Sequence, residues 1–348
     1  MSLKHWCFQE LLMDRTSASN KNKFLEKGMR GSPVKQVQDL FHQSGINQIG
    51  TSKHLAKETV REKLTQENQS TTWHNVGKNM GIHSYKTADS YREVWIAVHR
   101  DAKANSGVKN IENLKGEHVQ NYLENKISQN VAHSTFMAYA SACEKLEHAL
   151  NLYAEKNDTG NTYHFSQNIQ NARSDAHQIL ERNEGSRAYE NPVALVNAVK
   201  GETNNIAAHI QHEGGTRINE TYKFEKENLK GLTEHSAKGE VGKIHLDNTK
   251  GGKERDVFVS RETYHRLENY IKENGVFKLD KSSYYESLKE AAKETNQDYN
   301  ASHGLRWNFA REEMGRFIEN DRTYDESLIL VSDEMGHVRG DITEHYLK

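Results

Sequence analysis

Apolar positions recur at helical spacing through the first half of the chain. Tyr91, Val94, Trp95 and Val98 stand at i, i+3, i+4 and i+7, one apolar stripe of a helix. Val119, Tyr122 and Leu123 mark a second helix. Phe136, Tyr139, Cys143, Leu146 and Leu150 mark a third, which Ser134 or Thr135 is placed to cap. Stripes of this kind must be buried against one another, so 73–180 is expected to hold a small helical bundle. The pieces upstream are shorter: Trp6, Phe8, Leu11 and Leu12, then Val34, Val37, Leu40 and Phe41, the latter closed by Gly45. They give 1–72 as an N-terminal helical extension. Polar, glycine-bearing stretches after Tyr153 (AEKNDTGN) and at 183–192 (NEGSRAYENP) break the pattern, and a second domain is expected over 181–348.

In that second domain Val193 to His212 reads as one helix running into a turn at Gly214-Gly215. Lys243 to Leu246 and Arg255 to Val259 flank a glycine-bearing centre at 248–252, the pattern of a β-hairpin, and the tail returns to helix. The fold class is therefore mainly α with a small antiparallel β-sheet, the second domain being α+β.

Composition narrows the function classes. At 348 residues the chain exceeds one ordinary domain, and no run approaches the roughly 20 apolar residues of a membrane helix. The N-terminus lacks a signal peptide's apolar core, and Cys7 and Cys143 are too few for a disulfide framework, so a cytoplasmic, membrane-free protein is expected. The net charge of −2 argues against a uniformly basic nucleic-acid binder. Its distribution does not: Lys21, Lys23, Lys27, Arg30 and Lys35 share their stretch with one acid, Glu26, while acids gather elsewhere, as at Glu312, Glu313, Glu319 and Asp321. A near-neutral total is compatible with a basic cleft.

Six positions stand out by order and context: Arg217 in GGTRINE, Lys250 in TKGGKERDV, His303 and Arg306 in SHGLRWNFA, His337 in MGHVRG and Tyr346 in EHYLK. In a chain with 19 histidines a lone HxxR carries little weight, whereas the ordered set is specific. There is no HExxH, no metal-binding carboxylate loop and no GxxxxGK[ST] motif, so no metal or other cofactor is expected.

These segments resemble the catalytic domain of the tyrosine recombinase, or phage integrase, family, with its order Arg, Lys, HxxR, His or Trp, Tyr. Glu220 matches the acid three residues after the first arginine. The KER after Gly252 matches the family's GKGxKxR stretch, with Lys250 favoured over Lys253 by register. Gly336-His337 followed nine residues later by Tyr346 matches the family's spacing. NLKGEHVQNYL and STFMAYASACEKL resemble its helical SAM-like core-binding domain, so the likeness spans most of 84–348. The resemblance implies a core-binding domain at 73–180 and a catalytic domain at 181–348 that together clamp double-stranded DNA recombination sites. It also implies a monomer that assembles as a homo-tetramer on two sites, serving a mobile element.

The chemistry accounts for the residue types. Two guanidiniums, Arg217 and Arg306, suit the non-bridging oxygens of a phosphodiester whose transition state gains charge. Tyr346 would attack phosphorus to give a 3′-phosphotyrosyl link, and the resemblance assigns the acid that protonates the leaving 5′-oxygen to Lys250. His303 and His337 would position the phosphate or shuttle protons. A topoisomerase or telomere resolvase would use the same chemistry, and a non-enzymatic DNA-binding relic would have lost part of the set. Thr216 and Trp307 depart from the family's usual leucine and histidine. The sequence ends two residues past Tyr346, so contact between subunits is expected from the N-terminal extension. Trp73, Trp95 and Trp307 are candidates for stacking on DNA, Trp95 being better suited to a core.

Overall fold

Trp95 lies fully buried in the first of two compact units, its indole N–H donating to the Ala142 carbonyl at 2.7 Å. The structure, a computed structural model, describes residues 29–182, 185–247, 249, 254–337 and 340–348. Contacts divide the chain into units Met1–Asn183 and Glu184–Lys348.

The described part of the first unit is helical: α1 Pro33–Gln43, α2 Lys53–Gln66, α3 Trp73–Asn79, α4 Tyr85–Ser106, α5 Gly116–Ser128, α6 His133–Lys156 and α7 Ser166–Ile179. Caps set several ends. Ser32, Ser52, Thr72 and Ser84 each accept from a backbone N–H in the first turn of α1 to α4, and α4 stops at Gly107 in the left-handed region (φ +68°). The three stripes read from the sequence form the core: Val94, Trp95 and Val98 of α4, Val119 and Leu123 of α5, and Phe136, Cys143, Leu146 and Leu150 of α6. Burying each large apolar side chain contributes roughly 1.5–3 kcal/mol, so this stripe-on-stripe packing dominates the unit's stability. Val37, Leu40 and Phe41 of α1 join the same core, while Leu64, Val76 and Met80 give α2 and α3 a small one of their own. The piece from Trp6 to Leu12 lies outside the described residues.

One local expectation for this unit is corrected, and one helix was not foreseen. Neither Ser134 nor Thr135 caps α6, because the helix starts at His133 with Ala132 as its flanking residue and places both inside the first turn. Helix α7 had no reading in the sequence. Its buried face is Ile169, Ala172 and Ala176, and the two alanines leave only a faint stripe.

In the second unit the single helix expected over Val193 to His212 is two, α8 Pro192–Ala198 and α9 Glu202–Gly214. Gly201 at φ +85° turns the chain between them. Strands β2 Leu229–His235, β3 Gly239–Leu246 and β4 Arg255–Val259 form an antiparallel sheet in that order, with Ile244 opposite Val257 and Leu246 opposite Arg255. The hairpin is thus where the alternation placed it. A two-stranded pair, β1 Lys223–Phe224 with β5 Phe277–Lys278, stands apart. Helices α10 Arg261–Asn274, α11 Lys281–Glu294, α12 Ala301–Glu319, α13 Tyr324–Glu334 and α14 Gly340–Glu344, then a 3₁₀ turn His345–Leu347, complete the unit. One core gathers Leu195, Ile206, Ile244, Leu267 and Tyr284, and a second gathers Trp307, Phe309, Phe317, Met335 and Tyr346. The unit is mainly α with small antiparallel sheets, as expected.

Candidate active site

Helix α9 ends against the ring of Phe309. Gly215 there adopts φ +57°, and a Cβ at that position would lie 2.3 Å from the ring, so only glycine lets chain and helix α12 approach this closely. The freed Gly215 carbonyl accepts a hydrogen bond from Arg306 Nη1. Two residues on, Arg217 donates from Nη1 to Glu220 Oε1 at 2.6 Å, and its backbone N–H donates to Oε2 at 2.9 Å. Arg255 of β4 donates to the same Oε2 at 2.8 Å. Thr216, fully buried, hydrogen-bonds Thr221 across this turn at 2.7 Å, a contact a leucine would lack.

Burial works to raise the Glu220 carboxyl, but Arg255, the backbone N–H of Arg217 and the Arg217 guanidinium outweigh it and hold it at about 2. A carboxyl depressed on folding contributes stability above its unfolded value of about 4.5 and loses it as pH falls towards 2, on the order of 3 kcal/mol here. Glu220→Gln should therefore be less stable than wild type at pH 7 and should lose much less between pH 4.5 and 2. Parallel acid-unfolding curves for the two proteins would contradict this.

His303 and Arg306 lie one turn apart at the start of α12, as their spacing required. Arg306 is fully buried, and besides Gly215 it donates from Nη2 to the Met335 carbonyl at 2.5 Å and to His337 Nε2 at 3.0 Å. Its Nε has no partner among the described residues. Since guanidinium only donates, His337 must accept at Nε2 and carry its proton on Nδ1, which reaches Thr343 Oγ1 at 2.7 Å. Thr343 in turn meets Ser332 Oγ at 2.7 Å. Tyr346, 8% exposed, places its hydroxyl 3.0 Å from His303 Nε2, with its ring 5.8 Å from the Arg306 guanidinium carbon and 5.4 Å from the rings of His303, Trp307 and His337. Burial lowers His303 to about 4, helped by Arg306, Arg187 and Arg217, so the imidazole is neutral at pH 7.

Five of the six positions singled out in the sequence are thus described. Arg306, His337, His303 and Tyr346 form one contact network, and Arg217 reaches it through Glu220 and the Gly215 turn. Lys250, and Lys253 with it, lies outside the described residues. Trp307 is 2% exposed and edge-on to His345, so it is part of the core beneath Tyr346 rather than a free stacking surface. Trp95 is likewise core, and Trp73 remains 46% exposed.

Sequence reading missed a brace behind the site. Arg255, besides holding Glu220, donates to the Glu334 carbonyl, so the last turn of α13 is held at Glu334 by Arg255 and at Met335 by Arg306. The Glu334 carboxylate accepts from His235 Nε2 at 3.0 Å, and Lys238 lies between Glu334 (3.9 Å) and the fully buried Glu313 (2.9 Å). The only hint was the arginine of KER. The turn joining β2 and β3 is thereby pinned to α12, which carries Arg306, and to α13, whose C-terminal end leads into His337. Lys238→Met is expected to cost roughly 1–3 kcal/mol, because among the described residues it leaves the buried Glu313 carboxylate with Arg316 as its remaining cation. Adding Glu313→Gln should recover most of it in thermal denaturation, and no recovery would refute the pairing.

Among the described residues no His, Cys, Asp and Glu cluster could hold a metal, and no helix is long and apolar enough to cross a membrane. The site gathers two guanidiniums, those of Arg217 and Arg255, on the Glu220 carboxylate and a third, Arg306, on two carbonyls and His337, with a neutral imidazole on a tyrosine hydroxyl. Such a group can bind an oxyanion and take a proton from the phenol beside it.

No protein-family model and no curated protein sequence matches the chain. Solved structures do. XerH site-specific recombinase, bound to palindromic difH substrate in a post-cleavage complex, aligns with TM-score 0.59 at 15% identity over 92% of this chain and 94% of that one. The Tn1549 transposon integrase in complex with transposon right end DNA aligns with TM-score 0.51 at 13% identity over 84% of this chain and 94% of that one. The chain has the fold of these enzymes, the tyrosine recombinase fold that its motifs resemble.

Proposed function

We propose that the chain is a site-specific DNA recombinase that cleaves and rejoins strands through a 3′-phosphotyrosyl link at Tyr346. The observation that carries this reading is the Tyr346 hydroxyl on His303 Nε2, set above the buried Arg306 and beside His337. In the cleavage step the Tyr346 oxygen bonds to phosphorus and the bond from phosphorus to the 5′-oxygen breaks. The phenolic proton passes to His303, whose neutral imidazole can accept it, and Lys250 protonates the departing 5′-oxygen. Arg217 and Arg306 balance the charge on the non-bridging oxygens, and His337, fixed by Thr343, orients Arg306. The phosphotyrosyl ester conserves the bond, so a second 5′-hydroxyl reverses the step with the proton flow inverted and no nucleotide consumed.

In this reading 181–348 is the catalytic domain and 73–180 the core-binding domain. Double-stranded recombination sites are the substrate and four protomers on two sites the working assembly, in the service of a mobile element in a prokaryotic cytoplasm. The N-terminal extension, 1–72, takes part in contact between subunits. The test is to incubate the protein with nicked duplexes carrying randomised arms and to recover DNA that stays attached through denaturation. Attachment followed by exchange between two recovered sites supports the proposal. Relaxation of a plasmid without exchange would point to a topoisomerase, and no attachment from any pool would end it.

A further inference from the structure

The stretch 183–192 reads in the sequence only as a break between domains, yet among its described residues Tyr189 is buried. Asn308 of α12 clamps its backbone: the Tyr189 N–H donates to Asn308 Oδ1 at 2.9 Å, and Asn308 Nδ2 donates back to the Tyr189 carbonyl at 2.7 Å. The Tyr189 hydroxyl reaches the start of the same helix. There it accepts from the Asn300 N–H at 3.1 Å and donates to the Ala301 carbonyl at 3.1 Å. One side chain thus spans the segment of α12 that carries His303 and Arg306. Gly304 makes room for it, since a Cβ there would lie 2.6 Å from the Tyr189 ring and 2.7 Å from the Arg187 carbonyl oxygen.

What the hydroxyl holds is strained. Ala301 has φ +51°, a left-handed conformation that disfavours a residue bearing a Cβ and persists only where its surroundings enforce it. Asn300, which flanks the helix, makes no side-chain cap, so the phenol takes over that task from outside the helix. It bonds the N–H before the strained residue and the carbonyl of the strained residue itself. Two positions on, His303 Nε2 meets the Tyr346 hydroxyl at 3.0 Å. By helical periodicity Gly304 and Asn308 fall on the side of α12 away from His303 and Arg306. Tyr189 therefore braces the back of the helix whose front faces the nucleophile.

We propose that Tyr189 is a positioning residue for strand cleavage: by holding the left-handed turn at Ala301 it aims His303 at the Tyr346 hydroxyl. This rests on the reading that Tyr346 attacks DNA.

The test measures single-turnover adduct formation on a nicked duplex between pH 5 and 8, using full-length wild type, Tyr189→Phe, Ala301→Gly and the double variant. Phenylalanine keeps the ring in its core and loses both hydrogen bonds. Tyr189→Phe should slow adduct formation at pH 7 by about tenfold, with duplex affinity unchanged, because a misaimed acceptor affects the chemical step rather than binding. Glycine adopts the left-handed turn without strain, so adding Ala301→Gly should return the rate to within about threefold of wild type.

The pH profile supplies a readout that fold stability alone would not move. Burial holds His303 at about 4, helped by Arg306, Arg187, Arg217 and His345, and the Tyr346 hydroxyl faces it. A ring turned toward solvent titrates nearer its ordinary 6.5. Protonated His303 cannot accept the phenolic proton, so the acid fall in rate should begin at higher pH in Tyr189→Phe and move back in the double variant. A wild-type rate in Tyr189→Phe, a slowed rate that glycine does not rescue, or an acid limb that stays in place would each overturn the assignment while leaving the chemistry at Tyr346 intact. Wild type that forms no adduct would instead remove the reading beneath it.

Discussion

Tyr346→Phe is expected to abolish the covalent protein–DNA adduct, by at least about a thousandfold, while duplex binding stays within a few fold of wild type. The substitution removes one oxygen from a ring whose packing is otherwise fixed. Phenylalanine keeps the 5.4 Å ring contacts to His303, Trp307 and His337 and loses only the hydroxyl on His303. One hydrogen bond is worth roughly 1 kcal/mol of stability, too little to unfold a domain, so loss of adduct would report the missing nucleophile rather than a missing fold. His303→Gln should behave differently. It keeps a polar group near the hydroxyl but no proton acceptor of imidazole strength, and adduct formation should slow by about a hundredfold without being lost. The two are read by adduct yield on denaturing gels against time. An adduct that persists in Tyr346→Phe would mean that another side chain attacks, and the reading would fail at its centre.

What the sequence made legible follows the range of the interactions involved. The stripes of α4, α5 and α6 are local patterns within single helices and were readable, as were the β3–β4 alternation and the HxxR turn that puts His303 and Arg306 on one face. Elements lacking contrast were not. Helix α7 buries alanines, and β1 and β5 are two residues each. The break at Gly201 was hidden because the residues on both sides favour helix and a lone glycine is tolerated within one. In the candidate site the ordered residues could be named from motif spacing, but what holds them could not. Arg255 reaches Glu334 across 79 positions, and Lys238 with His235 meets α13 across nearly a hundred. These side chains would be equally at home on a solvated surface, so nothing local marks them as buried. Thr216 shows the converse: it looks like a departure from the family pattern until its hydroxyl is seen paired with Thr221.

Under the proposed chemistry Arg306 joins stability and catalysis, and its replacement should cost both. Arg306→Met has similar bulk and removes a buried cation that Arg217 and Arg255 oppose, a change that by itself would relieve repulsion and desolvation. Against that gain stand the carbonyls of Gly215 and Met335, both buried positions, and His337 Nε2, each of which loses its donor. An unsatisfied buried acceptor costs roughly 1–3 kcal/mol, so three of them outweigh the relief and a net loss of about 3–5 kcal/mol is expected. Arg306→Lys keeps the charge, but an ammonium on a flexible stem cannot span acceptors on α9 and α13 together, so it should recover only part of the stability. On the chemical side, removing a fixed cation from the phosphate should slow adduct formation by about 10²–10³-fold even where the variant is folded. His337, no longer held at Nε2, should add to that loss. Thermal denaturation separates the first effect from the second, which is read in single-turnover cleavage well below the variant's melting temperature. A methionine variant that melts with wild type would show that the two carbonyls find other partners, and one that cleaves at the wild-type rate would remove Arg306 from the phosphate altogether. The lysine variant decides between these roles: if positive charge alone matters its rate should approach wild type, whereas if the fork that joins Gly215, Met335 and His337 matters it should stay closer to methionine.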